Sequence, residues 1–389
     1  MLAKPLGGKK VSDFVYLFEK DNLVGDNLFF PNPLIFDGYQ VINPSQEFVA
    51  SLKVDSVQDF EPPFLGPTKV YHSPVFYFIY NFDNYFHFLY DCLPYLLEYR
   101  KLKNSIPELK LLVNYPNPSK KDFYRFNTEL LELLDVTKSD LIFVSSDVLY
   151  QELYVSETLT YKDTPDPRVF GIYDELVNKV KQLKPNFNSP EKFYVSRRTW
   201  LNGDTSNIGT NYTTRRQLVN ETELVTYLIS KGYTEVFTEN LSTVDKILMF
   251  NQAESIVGAV GGGLANCLFS NNSTKVTAIA SPGILDTNAR LKICFERANV
   301  TYFTDTENTE QGNWKLNMRV KTCDHLIGEI REIYENDLLL AFSEAKVAGW
   351  NSDTVFNLVK VPKSYCQPLD NGLNSSWLLN LEKFKTLRL

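Results

Sequence analysis

Residues 255–270 read SIVGAVGGGLANCLFS, and the fold turns on whether this run is strand, glycine turn and helix. Ser255 to Val260 is a short apolar run with β-branched residues, the composition of a buried strand. After Gly261, Gly262 and Gly263, residues Leu264, Ala265, Leu268 and Phe269 recur at helical spacing. A strand that empties into glycines before a helix lets backbone amides approach an anion at the helix N-terminus. Glycine equally permits a helix to pack closely on a strand with no ligand present, so the loop admits both readings. Two nucleotide signatures fail here. Counted from Gly261 and Gly263, the third glycine of a dinucleotide fingerprint falls on Asn266, and no Gly-Lys-Ser/Thr follows for a Walker A loop.

Working outward, the alternation of strand and helix continues on both sides. Upstream lie KFYVSRR (192–198) as a strand, NETELVTYLISKG (220–232) as a helix, YTEVFT (233–238) as a strand and STVDKILMFNQA (242–253) as a helix. Downstream, KVTAIA (275–280) and NVTYFTD (299–305) read as strands. A second alternation precedes it, with SPVFYFIYNFDN (73–84), LKLLVNYP (109–116) and LIFVS (141–145) as strands. Its helices are YFHFLYDCLPYLLEYRKL (85–102), DFYRFNTELLELLDV (122–136) and FGIYDELVNKVKQLK (170–184). Pro94 lies inside the first helical pattern, so that helix is predicted to kink or begin there. Two successive α/β series predict two doubly wound, Rossmann-like domains facing each other across a cleft, with ligands at the carboxyl ends of the strands. The boundary is placed near 188, giving domains over 1–188 and 189–320. The segment 321–389 is read as helical or irregular, CDHLIGEIREIYENDLLLAFSEA (323–345) being its helical part, and is expected to pack back on the first domain.

Composition narrows the function classes. With 389 residues, 43% of them hydrophobic, the chain can bury two cores, and its 14% aromatic content fits aromatic-rich packing better than exposed sugar-stacking platforms. A formal net charge of −7 argues against a general nucleic-acid surface, so any anion site must be built locally. Cys92, Cys267, Cys294, Cys323 and Cys366 form no CxxC pair, which argues against a zinc site or disulfide framework and for reduced thiols in the cytoplasm. No apolar run reaches the length of a signal peptide core or a membrane span.

Two constellations can carry chemistry. Ser196-Arg197-Arg198 ends the first strand of the second series and Arg215-Arg216 lies before its first helix. In an acidic chain, arginine pairs at strand ends suit a diphosphate, which they meet with charge-assisted, bidentate hydrogen bonds; the plain alternative is a solvated loop. Asn220 followed by Glu221 and Glu223 reads as a helix N-cap and acidic first turn. In NYFHFLYD (84–91), His87 and Asp91 stand four apart, so on a helix the carboxylate can orient the imidazole as a general base, or act as the base itself. A histidine among aromatics is also a common core residue. No DxD occurs anywhere in the chain, nor HExxH, nor Gly-x-Ser-x-Gly, which leaves a metal-free site using arginines for charge and needing no cofactor.

Taken together, NYFHFLYDCLP (84–94), YVSRR (194–198), RRQLVNETEL (215–224) and VGAVGGGLAN (257–266) resemble glycosyltransferase family 61 in their order and rough spacing. That family's last motif carries histidine and alanine where Val260 and Gly262 stand here. The resemblance implies a GT-B architecture and an inverting, metal-independent hexosyl- or pentosyltransferase. Its donor would be a nucleoside-diphosphate sugar, a UDP-sugar for preference, and its acceptor a glycan hydroxyl. It assigns Asp91 or His87 as the base, and Arg197, Arg198, Arg215, Arg216, Gly261, Gly262, Gly263, Leu264 and Asn266 to the donor, with Arg198 and Arg215 the narrower choice among the arginines. The alternative is a non-catalytic nucleotide- or glycan-binding protein on the same fold, which the Val260 substitution favours.

Overall fold

The computed structural model describes residues 9–24, 35–37, 40–42, 69–78, 84–113, 123–144, 148–156, 159–160, 165–198, 218–287, 289–308, 319–322, 327–334, 337–343, 356–362, 366–368 and 377–387. The protein divides into two compact units, Met1–Leu176 with Val347–Ser352, and Val177–Lys346 with Asp353–Leu389. The division falls inside the helix Arg168–Leu183 and not near 188. Its first half is tied to the first unit by Arg100 donating to Glu175 at 2.8 Å, whereas Lys184, just past its end, pairs with Asp245 at 2.6 Å in the second.

The first unit is built on one mixed sheet. Strands β1 (Lys9–Lys10), β2 (Val15–Val24), β3 (Ile35–Asp37) and β4 (Gln40–Ile42) pair antiparallel in sequence order. Strands β5 (Lys69–Tyr71), β6 (Val75–Tyr77), β7 (Lys110–Val113), β8 (Leu141–Phe143) and β9 (Val148–Ser156) come next along the chain, and the sheet order is β4-β3-β2-β9-β6-β7-β8, with β5 also on β9. Only β9-β6-β7-β8 and β5 are parallel. The unit is therefore α/β with a parallel part, not the fully doubly wound sheet read from the sequence. Val75, Phe76, Tyr77 and Phe78 are completely buried, as expected of an unbroken apolar run in the middle of a parallel sheet.

The second unit agrees closely with the sequence reading. Strands β10 (Lys192–Val195), β11 (Thr234–Val236), β12 (Ser255–Ala259), β13 (Lys275–Ile279) and β14 (Asn299–Phe303) are all parallel in the order β11-β10-β12-β13-β14. One face of this sheet, with Tyr194, Val257, Ala259, Ile279 and Phe303, packs on Leu224, Val225 and Leu228 of the helix Glu221–Ser230. Phe193 meets Phe250 of the helix Thr243–Gln252, with ring centroids 5.1 Å apart. Period-two alternation in strands and 3.6-residue spacing in helices thus meet in one layered core.

The tail differs from its expectation in two ways. Residues 323–345 are not helical where described: β16 (Arg319–Thr322), β17 (Ile327–Ile333), β18 (Asp337–Ser343), β19 (Phe356–Pro362) and β20 (Cys366–Pro368) form an antiparallel sheet in the order β19-β18-β17-β16-β20. The helical spacing of Ile330 and Ile333 comes from a bulge: they pair with Leu340 and Leu338, positions two apart on the partner strand, because Arg331 is the extra residue. Nor do the last described residues join the first unit. The strand Trp377–Leu379 pairs antiparallel with Thr306–Asn308, and Trp377, Leu379 and Phe384 enter the core around Tyr194 and Leu224.

Candidate functional site

His87 and Asp91 lie beyond β6 on a helix of changing pitch. Asn84 opens it, its side-chain oxygen accepting from the His87 amide at 3.2 Å. Tyr85–His87 is α-helical, Phe88–Cys92 widens to a π turn, Leu93–Tyr95 tightens to 3-10, and Leu96–Lys103 is α-helical again. The kink read from Pro94 is thus present. The π turn closes with the Leu93 amide on the Phe88 carbonyl. The next bond of that type would come from residue 94, but proline has no N–H. The buried Tyr173 hydroxyl donates to the Leu89 carbonyl instead, at 3.0 Å. One widened turn inside a helix is a common feature of functional sites.

On this turn the imidazole Nδ1 of His87 lies 2.7 Å from Asp91 Oδ2. Asp91 is buried, and Thr160 donates to its other oxygen, Oδ1, at 3.3 Å. The His87 side chain remains 30% exposed. With Nδ1–H donated to the carboxylate, Nε2 carries the lone pair. Of the residue pair left open by the sequence, the imidazole is thus the more exposed member and the carboxylate the enclosed one.

The arginines separate in the same manner. Arg198 is committed to Glu235 on the neighbouring strand, donating from Nε at 2.9 Å and from one terminal nitrogen at 2.7 and 2.5 Å to its two oxygens, with Thr222 at 3.3 Å completing the set. Arg197 is buried, yet its guanidinium makes no hydrogen bond or ion pair among the described residues, and its Nε is sealed from solvent. Burial pulls this guanidinium below the ordinary arginine range, against the opposing fields of Glu221 and Tyr194. Arg215 and Arg216 lie outside the described residues.

Glu221 has a function that sequence reasoning missed. Its place in the first turn of a helix reads as an acid complementing the helix dipole, but it is buried, and its Oε1 accepts from the Arg197 amide at 2.7 Å, Tyr194 Oη at 2.9 Å and Ser196 Oγ at 3.4 Å. Burial raises its carboxyl above the usual range, against those hydrogen bonds and the arginine charges. Asn220 holds the N-cap position, but its side chain does not cap the helix: it donates to the Leu379 carbonyl at 2.8 Å and accepts from the Leu379 amide at 3.1 Å, pairing with the strand Trp377–Leu379 as a peptide group would.

The three glycines are not equivalent. A Cβ on Gly263 would stand 2.8 Å from Val195 Cγ1 and 3.5 Å from Thr238 Oγ1, so this glycine lets the loop after β12 cross the ends of β10 and β11. Gly262 is exposed, with open space where a side chain would project. The loop is pinned by the buried Val260, whose amide donates to Ile279 at 2.8 Å, and by Ala265, whose amide reaches the carbonyls of Gly261 and Gly262 at 3.2 Å each. Asn266 is buried and donates to the Gly263 carbonyl at 2.9 Å, while Leu264 is fully enclosed; both support the loop. The chain then enters a six-residue 3-10 helix, Leu264–Phe269.

Both clusters lie at equivalent places in their own sheets. In the second unit the chain leaves β10 for β11 on one side and returns to β12 on the other, so the carboxyl ends of β10 and β12 open a crevice at the point where strand order reverses. Arg197 comes after the first of these strands and the glycines after the second. In the first unit β6 lies between β7 and β9, and Asp91 and Thr160 come after β6 and β9.

Residues 85–277 match the family model described as Glycosyltransferase 61, and over that span, about half of its length, the chain belongs to this family of glycosyltransferases. The matched span contains His87, Asp91, Arg197, Glu221 and the glycine loop. No curated protein matches the chain. Cys92, Cys267 and Cys294 are buried free thiols, and no described helix is long and apolar enough to cross a membrane.

Proposed function

We propose that the protein transfers a sugar from a nucleoside-diphosphate donor, a UDP-sugar for preference, to a glycan hydroxyl, with inversion and without a metal. One observation carries this reading: a buried guanidinium with no hydrogen-bond partner among the described residues, Arg197, follows β10, and the glycine loop follows the neighbouring β12 at the switch point of the second unit's parallel sheet. A buried cation without a bonded anion is costly, and a donor diphosphate would supply that anion. In the proposed GT-B arrangement the first unit presents the acceptor. His87 Nε2 removes the acceptor hydroxyl proton as the oxygen attacks the anomeric carbon. The bond to the diphosphate breaks, and its leaving charge is stabilised by Arg197, by the amides of Gly261 to Leu264, and by Arg215 and Arg216 as further candidates. Arg198 is reassigned from the donor to supporting its strand, because Glu235 already neutralises it.

Thermal stability in EDTA against UDP, GDP and CMP tests donor binding, since a ligand bound only by the folded state at about 100 times its Kd contributes about 2.7 kcal/mol. Stabilisation by UDP is expected. His87→Gln should keep that stabilisation and lower kcat with the matching UDP-sugar by roughly 10²- to 10⁴-fold. Stabilisation by no nucleotide, with Mn²⁺ also added, would refute the proposal. Binding without turnover would favour the non-catalytic alternative.

A further inference from the structure

We infer that Thr160 is a positioning residue, one that fixes the proton-accepting nitrogen of His87 by holding Asp91 from the opposite side. The catalytic part of this inference rests on the reading of His87 as the base; the positioning part does not.

Asp91 is held at both of its oxygens. His87 Nδ1 occupies Oδ2 at 2.7 Å, from the same helix. Thr160 Oγ1 donates to Oδ1 at 3.3 Å, and this residue is 69 positions away in the chain and 1% exposed. It lies four residues beyond the carboxyl end of β9, the strand adjacent to β6, whose own carboxyl end leads to the His87 helix. The bond therefore joins the segments that follow two neighbouring parallel strands, β6 and β9. The carboxylate is anchored to a second element and not only to the helix that carries it.

This anchorage has a chemical consequence. Losing one of its donors loosens a carboxylate about χ2, and a neutral histidine without a fixed acceptor on Nδ1 prefers the tautomer protonated on Nε2. That tautomer cannot accept a proton at Nε2. Two donors converging on the two oxygens remove the rotation and keep the proton on Nδ1. Tyr173, bonding the Leu89 carbonyl that Pro94 leaves unpaired, fixes the backbone of the same turn. Backbone and side chain of the turn are thus held by residues from separate elements.

The chain contains three histidines, so the imidazole nitrogens of His87 can be assigned by ¹⁵N-edited NMR of the full-length protein with labelled histidine. The spectrum is recorded as a pH series, and the tautomer is read from its alkaline plateau. Wild type and Thr160→Ser are expected to show His87 protonated on Nδ1, whereas Thr160→Val shifts the population toward Nε2–H. With a UDP-sugar the protein turns over, Thr160→Val should lower kcat roughly tenfold at unchanged KM, a fraction of the full general-base contribution, and Thr160→Ser should restore it. If the valine variant does not fold, Thr160→Ala gives the same comparison. An unchanged His87 tautomer in the folded variant lacking the hydroxyl overturns the inference. A tautomer shift in a protein that turns over no UDP-sugar upholds the positioning function and refutes the catalytic reading.

Discussion

Replacing Arg197 and Arg198 one at a time with methionine should produce opposite results, although the two residues are adjacent. Arg198 and Glu235 are 15% and 16% exposed and joined by several hydrogen bonds, which places the pair between a solvated surface bridge and a fully buried one. Surface pairs contribute about 0–1 kcal/mol and breaking a buried pair costs about 3–5. Arg198→Met is therefore expected to lower stability by roughly 1–3 kcal/mol. Arg197 donates no hydrogen bond from its side chain among the described residues and is 8% exposed, so exchanging it for an apolar side chain of similar length removes a desolvated charge and breaks no described bond. Its stability should be unchanged or higher. Toward UDP the order reverses. A hydrogen bond to a charged group contributes about 1.5–3 kcal/mol, so losing one weakens Kd by roughly 10- to 150-fold. Arg197→Met is expected to show that loss, and Arg198→Met to stay within about threefold. Urea unfolding gives the stabilities and titration calorimetry the affinities. Equal weakening of UDP binding by both variants, or a destabilised Arg197→Met of normal affinity, would refute the assignment.

The glycine loop should show the same division of duties. Gly263→Ala drives a methyl group to 2.8 Å from Val195 Cγ1 and is expected to destabilise by about 1–3 kcal/mol, whereas Gly262→Ala, with nothing within 4 Å, should fall within about 0.5 kcal/mol of wild type by thermal unfolding. Glu221 provides a pH test. Its folded carboxyl is raised by burial, so the folded state holds the proton more tightly. The contribution is therefore favourable at low pH and is lost as pH rises from the unfolded value of about 4.3 through the folded one. Glu221→Gln keeps an oxygen for the three donors and removes the titration. Its stability relative to wild type should rise as pH climbs above the unfolded value of about 4.3, and a difference that stays constant with pH would contradict a raised carboxyl.

How much of this was legible in the sequence depended on the range of the interaction. Each strand and helix read between 192 and 305 is present, because a parallel sheet buried on both faces writes itself as short apolar runs separated by amphipathic helices. The strand Val148–Ser156 escapes such a reading. Gln151 and Glu152 interrupt its apolar run, yet pairing with both β2 and β6 places it inside the sheet. The bulge at Arg331 gives two strands the spacing of a helix. His87 and Asp91 are visible because the contact is four residues long. Thr160 and Glu221 are not, because their hydrogen bonds run over 69 and 24 residues and leave no local pattern. Arg198 reads as the better ligand of the two in the sequence for the same reason: its partner Glu235 is 37 residues away.

The distinction between Arg197 and Arg198, both of which lie past the end of β10 at Val195, comes from the partners each one meets. Glu235 sits opposite Tyr194 in the β10–β11 register, and Arg198 reaches back to it. Glu221 grips the Arg197 backbone amide and the Tyr194 hydroxyl, and among the described residues the Arg197 guanidinium has no hydrogen-bond partner. On the proposed reading, a motif of two arginines supplies one scaffold ion pair and one charge for an anion, and exchanging their neighbours should exchange their functions. Glu235→Gln, which removes the charge facing Arg198 while leaving Arg197 untouched, is the variant in which Arg198 is freed to compete for a diphosphate.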